Sequence, residues 1–153
     1  MSETKQYATF HLDGLFLGVE VRQVQEVIRY QPMTPVPLAP AMIRGLINLR
    51  GQIVTAVDLR RRLSLPPLAG DRRPMNVVVR SDDGAVSLLV DEIGDVVEVQ
   101  DDAYERPPET LQESARELVT GVYKLRDRLL LVLNTERAVS LPAGLGTTRT
   151  AGN

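Results

Sequence analysis

Along this chain of 153 residues, apolar positions fall into short runs separated by turn-forming pairs. Tyr7–Leu12 and Leu15–Val19 flank Asp13-Gly14. An Asp-Gly pair tolerates the positive φ that a two-residue hairpin turn demands, so this segment predicts a β-hairpin. From Val19 the spacing changes. Val21, Val24, Val27 and Ile28 stand three and four apart, the period of a short helix or of a helical turn running into a strand. Gln31–Pro40 contains Pro32, Pro35, Pro37 and Pro40 and reads as a stiff connecting loop. Ile43–Leu49 and Gln52–Val57 flank Arg50-Gly51 as a second hairpin. Asp58 then stands where its carboxylate can accept from the free first-turn amides of a short helix, DLRRRL. Leu65–Pro74, with three prolines and a glycine, is the natural boundary.

The second half opens the same way. Asn76–Arg80 and Ala85–Val90 flank Asp82-Asp83-Gly84. A helical period follows through Val90, Ile93 and Val96–Val97, and Val97–Val99 can form a strand. Asp101–Glu117 is polar and acidic around Pro107-Pro108 and predicts loop plus a weak helix. Leu118–Leu125 and Leu129–Leu133 flank Asp127-Arg128 as a fourth hairpin, and Asn134 is placed to cap the helix TERAVS. Residues 141–153 carry too little apolar content to fold and are expected to be a disordered tail.

These elements repeat. GLINLRGQIVTAVDLRR (45–61) lies without a gap on GVYKLRDRLLLVLNTER (121–137), an offset of 76 residues, with Gly45/Gly121, Leu49/Leu125, Arg50/Arg126 and Arg61/Arg137 identical. Upstream, Val21, Val24, Glu26 and Val27 match Val90, Ile93, Asp95 and Val96 at an offset of 69. Each half of roughly 70 residues has strands enough for a small barrel, yet a chain that short is marginal alone. Two packed barrels, with subdomains at about 6–70 and 74–140 of one 1–140 domain and a possible exchange of strands, resolve this and leave a groove between lobes.

Composition narrows the chemistry. The chain has no Cys or Trp and a single histidine, His11, which excludes thiolate zinc sites and leaves almost no material for histidine relays. No G-x-S-x-G elbow or phosphate-binding glycine loop is present. Catalytic residues, metal and cofactors are therefore not expected. The pairs Asp82-Asp83, Asp91-Glu92 and Asp101-Asp102 stand at turns and element ends, where solvated carboxylates are ordinary. Nineteen Val and 21 Leu against two Phe and four Tyr favour pleated strands over a base-stacking platform. Sixteen of the 18 basic residues are Arg. Arg60, Arg61 and Arg62 with Arg72-Arg73 form the one basic cluster. It is read as the exposed face of a short helix or, alternatively, as the phosphate contact of a small-barrel nucleic-acid-binding protein. The net charge of −2 hides a split: residues 1–75 carry ten Lys+Arg and six Asp+Glu, net +4, and residues 76–153 carry eight and fourteen, net −6. No apolar run approaches the roughly 20 residues that span a bilayer, and MSETKQYATF does not read as a signal peptide.

Two strings are distinctive. V-x-x-V-Q-E-V (21–27), a proline loop and I-R-G-L-I-N-L-R-G-Q-I-V-x-x-V-D-L-R (43–60) resemble the chemotaxis coupling protein family, the CheW-like domains. L-V-D-E-I-G-D-V (89–96) and G-V-Y-K-L-R-D-R-L-L-L-V-L-N (121–134) are similar to the same family, so the resemblance covers roughly residues 5–140. It implies a mainly β fold of two five-stranded, SH3-like barrels around a shared core, with short helices. It also implies a non-enzymatic cytoplasmic adaptor recruited to membrane-associated receptor arrays. Its partners would be the cytoplasmic hairpin of a chemoreceptor and the regulatory domain of a sensor histidine kinase, with neither nucleic acid nor membrane insertion. By position, Arg50 and Glu26 match family residues tied to receptor coupling, and Val24, Val27, Ile93 and Val96 would line the apolar groove. The proline loop 32–40 differs from typical members.

Overall fold

The computed structural model describes residues 3–82 and 84–140; the tail expected at 141–153 lies outside the described residues. The four hairpins form where their turns predicted them. Strands β1 (Thr4–Leu12) and β2 (Leu15–Glu20) meet at Asp13-Gly14, and β4 (Ile43–Leu49) and β5 (Gln52–Asp58) at Arg50-Gly51. Both turns have positive φ at both positions, 49° and 83° in the first, 51° and 89° in the second, which matches the right-handed twist of the strands. β6 (Met75–Ser81) pairs β7 (Gly84–Val90), and β9 (Val119–Lys124) pairs β10 (Leu129–Leu133). Asp58 caps α1 (Leu59–Arg62), accepting from the amides of Arg60 and Arg61 at 3.0 and 3.3 Å. A short α2 covers Glu113–Arg116. Asn134 caps α3 (Thr135–Val139), accepting from the Arg137 amide at 3.0 Å.

The two segments with helical spacing are strands. After a 3-10 turn at Val21–Gln23, β3 runs from Val24 to Ile28, the second of the two expected forms. β8 runs from Glu92 to Gln100, so the helical period expected through Val90–Val97 is wrong. A β-bulge explains both. On β3, Val24 faces Val79 but Glu26 already faces Val78. On β8, Val96 faces Ala8 and Ile93 faces Phe10, so three steps oppose two. One extra residue returns the side chain to the same face after three positions instead of two, and three-residue spacing then imitates a helix.

The strands form two five-stranded sheets, ordered β8-β1-β2-β10-β9 and β3-β6-β7-β5-β4. Neither is drawn from one half of the sequence. The hairpin β1-β2 sits between β8 and β10, and the hairpin β6-β7 between β3 and β5. The joints are the parallel pairs β10–β2 and β5–β7. Each sheet also draws its two ends together: Thr34, after β3, bridges Leu46 on β4, and Glu105, after β8, bridges Val122 on β9. Leu46 and Val122 are 76 residues apart, the repeat offset.

Three apolar clusters follow. Tyr7, Phe16, Val99, Tyr123, Leu130 and Val132 fill the first sheet, and Ile47, Leu49, Val54, Ala56, Val78 and Leu89 the second. A larger shared cluster joins them, including Phe10, Leu12, Leu17 and Val19 with Val77, Val79, Leu88 and Val90. On β10, Leu131 and Leu133 face the shared core while Leu130 and Val132 face their own. Such strands are buried on both sides, which is why they read as continuous runs, LLLVL and VVV, instead of alternating with polar residues.

Candidate functional site

The sequence singled out Val24, Glu26, Val27, Arg50, Ile93 and Val96. The structure brings two of them, Arg50 and Glu26, together at one turn. Arg50 projects from the β4-β5 hairpin, and its Nη2 donates to Oε2 of Glu26 on β3. Beside it Gln25 Nε2 donates to Gln52 Oε1 at 3.3 Å, and the Gly51 amide donates to Asn48 Oδ1 at 2.9 Å. The hairpin tip is thus held over β3, the strand at the far end of the same sheet.

The four apolar residues form two matched pairs, one on each sheet. Residues opposite one another in an antiparallel ladder share a face. Val24 and Val27 face Val79 and Val77, which are shared-core residues. Ile93 and Val96 face Phe10, also in that core, and Ala8, which packs against it. The inner member of each pair, Val24 or Ile93, packs on the shared core. The outer member is open to solvent: Val27 is 40% exposed and Val96 58%. β3 and β8 are outer strands of different sheets and share no ladder, so the two pairs flank the core as separate patches.

The basic cluster is divided among separate tasks, and its expected exposed helix face is corrected at Arg60. That side chain is 12% exposed and meets Asp91, which is 9% exposed. Arg60 Nε and Nη2 donate to Asp91 Oδ1 and Oδ2 at 2.8 and 2.7 Å. Asp91 is consequently not the solvated turn carboxylate its position suggested. Burial pushes its pKa up, but the hydrogen bonds from Arg60 and from the Asp13 amide, with the Arg60 and Arg72 charges, outweigh this and hold it below the usual carboxylate value. The same hydrogen bond raises Arg60 further. Arg62 donates to the Arg137 carbonyl at 3.1 Å, Arg72 pairs with Glu92 at 3.4 Å, and Arg73 lies over the Tyr30 ring. The Arg60–Asp91 pair leaves no local signal, because 31 residues separate its members and the crossover that joins them is a tertiary feature. His11 lies in β1 with its ring 5.2 Å from that of Phe16. Among the described residues, no group of three or more His, Asp or Glu is placed to hold a metal ion, and no helix is long and apolar enough to cross a membrane.

Comparison with known proteins agrees with this architecture. The scaffolding protein TtCheW of Thermoanaerobacter tengcongensis superposes with a TM-score of 0.81 over 91% of this chain and 94% of that one, at 24% identity, a likeness of fold. Chemotaxis protein CheW of Bacillus subtilis is 31% identical over 82% of this chain and 80% of its own length. Its counterpart in Treponema pallidum is 28% identical over 90% and 84%. The family model for the CheW-like domain matches residues 6–142, and with nearly the whole described fold inside that match, the chain belongs to the CheW-like domain family.

Proposed function

We propose that this chain is a chemotaxis adaptor that couples the cytoplasmic helical tip of a chemoreceptor to the regulatory domain of a sensor histidine kinase, acting by binding alone. It works in the cytoplasm, recruited to receptor arrays at the membrane. The observation that carries this reading is the Arg50–Glu26 pair, seated beside the half-open Val24–Val27 patch. An amphipathic helix docks through apolar side chains in a groove, with charges at the rim setting its register. Val24 supplies the floor of the patch on β3, Val27 its exposed contact, and Arg50 and Glu26 its rim, while Ile93 and Val96 form a second patch of the same construction on the other sheet. The repeat gives the kinase domain, which in this family shares the fold, a surface of matching construction to pair with.

The test is co-elution of the purified chain with receptor hairpin tips and kinase regulatory domains. Wild-type protein is expected to co-elute with both. Arg50→Glu is expected to weaken receptor-tip binding by about tenfold or more and to abolish receptor-dependent kinase activation. Its melting temperature should change little, because Arg50 is a solvent-facing turn residue. An Arg50→Glu protein that still supports activation overturns the assignment of Arg50.

A further inference from the structure

The chain passes from one sheet to the other at two places that are equivalent in the repeat. β2 leads into β3 through Val21–Gln23, and β7 leads into β8 through Asp91. The offset of 69 puts Arg22 opposite Asp91, and the offset of 76 puts Glu136 opposite Arg60. The charges are therefore reversed between the two crossovers, and only one set has closed into a buried pair.

At Asp91 the crossover is held from every side. Both carboxylate oxygens take the Arg60 guanidinium, and Oδ2 also accepts from the Asp13 amide at 2.8 Å. The Asp91 amide donates to the His11 carbonyl at 3.0 Å. Arg60 further donates to the Pro66 carbonyl and stands 3.6 Å from the Asp13 carboxylate. One guanidinium thus joins α1, the β1-β2 turn and the link between sheets. At the equivalent crossover, Arg22 is 81% exposed and pairs with its near neighbour Glu20. That segment is held instead by exposed contacts: Arg80 donates from a solvent-facing position to the carbonyls of Arg22 and Val24 at 3.0 and 3.2 Å, and further along β3 the solvent-facing Arg50 and Gln52 meet Glu26 and Gln25. A bidentate pair shielded from water resists opening far more than exposed bonds to carbonyls, which water can replace at little cost.

We propose that Arg60 is a positioning residue that locks the Asp91 crossover, so that strand β8 is held in a preformed position while β3, hung from the unlocked crossover, opens readily. Where Val24–Val27 and Ile93–Val96 serve as partner contacts, which rests on the function proposed above, the partner meets one fixed patch and one adaptable patch.

Amide hydrogen exchange on the free, full-length chain tests this without any partner, so failure of the adaptor reading leaves the measurement intact. The slow amides of Leu88–Leu89 and Leu130–Val132 report global opening and set the baseline. In wild type, amides of β3 are expected to exchange by local opening faster than those of Asp91–Ile93. Arg60→Gln should accelerate exchange at Asp91–Ile93 and Asp13–Leu15 by about a hundredfold relative to that baseline. Arg22→Gln should leave β3 unchanged. If Arg60→Gln does not fold, Asp91→Asn, which keeps shape and removes the charge, is read in the same way. Acceleration that is equal everywhere, as a general loss of stability produces, overturns the proposal, and so does no acceleration at Asp91.

Discussion

Asp91 ties the stability of the fold to pH through a single carboxylate. Its native pKa lies below the ordinary 3.8, so folding favours the ionised form. The stability it contributes is complete above the ordinary carboxylate range and disappears as pH falls through the depressed native value. Wild-type protein should lose stability more steeply than Asp91→Asn as pH falls below the ordinary carboxylate value of 3.8, as urea midpoints taken on either side of it will show. At neutral pH the variant should be less stable by about 3 kcal/mol, because the buried Arg60 charge is left without its partner. Tyr7 works in the opposite direction: burial and then its hydrogen bond with Tyr123 raise its pKa, which keeps the phenol neutral in the fold. Neither effect was legible from sequence. A carboxylate beside a valine run reads as a turn end until the tertiary partner is known.

At the scale of elements, the hairpins were legible because two-residue turns with positive φ restrict their residues: Asp13-Gly14 meets that restriction at both positions, and the second hairpin meets it at Gly51 although Arg50 is an uncommon residue at φ 51°. The caps at Asp58 and Asn134 were legible for a similar reason, since few side chains can accept a first-turn amide. β8 was not legible, because a bulge inserts a helical spacing into a strand. The identity of Gly45 and Gly121 was visible, but its meaning was not. Both lie where the segment following an outer strand crosses the last strand of the same sheet. A Cβ on Gly45 would stand 2.6 Å from the Thr34 carbonyl oxygen, and one on Gly121 would stand 2.1 Å from the Tyr104 ring. The neighbours differ in what can yield. Gly45→Ala pushes on backbone that is bonded to β4 and should cost about 2–3 kcal/mol. Gly121→Ala pushes on a half-exposed ring, so the added change Tyr104→Ala should recover part of its loss. Thermal melts of the three variants decide this. Equal losses for both alanines, with no recovery, would show that sheet closure does not set these glycines.

The whole molecule has more order than its halves. Exchange of the first hairpins leaves the charge split in place: residues 3–20 with 92–140 carry seven Lys+Arg and 14 Asp+Glu, net −7, while residues 21–91 carry ten and six, net +4. The two sheets and the segments that follow them therefore differ in sign, and a charged molecule approaching the protein is oriented by that difference. The repeat made two similar units legible. It could not say which strands each sheet would take, because β1-β2 and β6-β7 have the same apolar pattern and fit either place. The topology predicts that fragments 1–70 and 71–153 each fail to fold alone and regain strand structure when mixed in equal amounts. Far-ultraviolet circular dichroism is the measurement. A fragment that folds alone would mean that a hairpin can return to its own half.

That exchange also bears on how the protein is made. Thr4 pairs with Gln100 and His11 with Glu92, so β1 has a permanent neighbour that is synthesised more than eighty residues later. At about 5–20 residues per second this leaves β1 and β2 without one flank for several seconds or more. Contacts so distant along the chain also slow the final assembly, since the entropy of closing the loop must be overcome before the pairing is gained. The nascent chain therefore carries an open hairpin edge until β8 has been made, and a second nascent chain on the same message offers the identical missing strand.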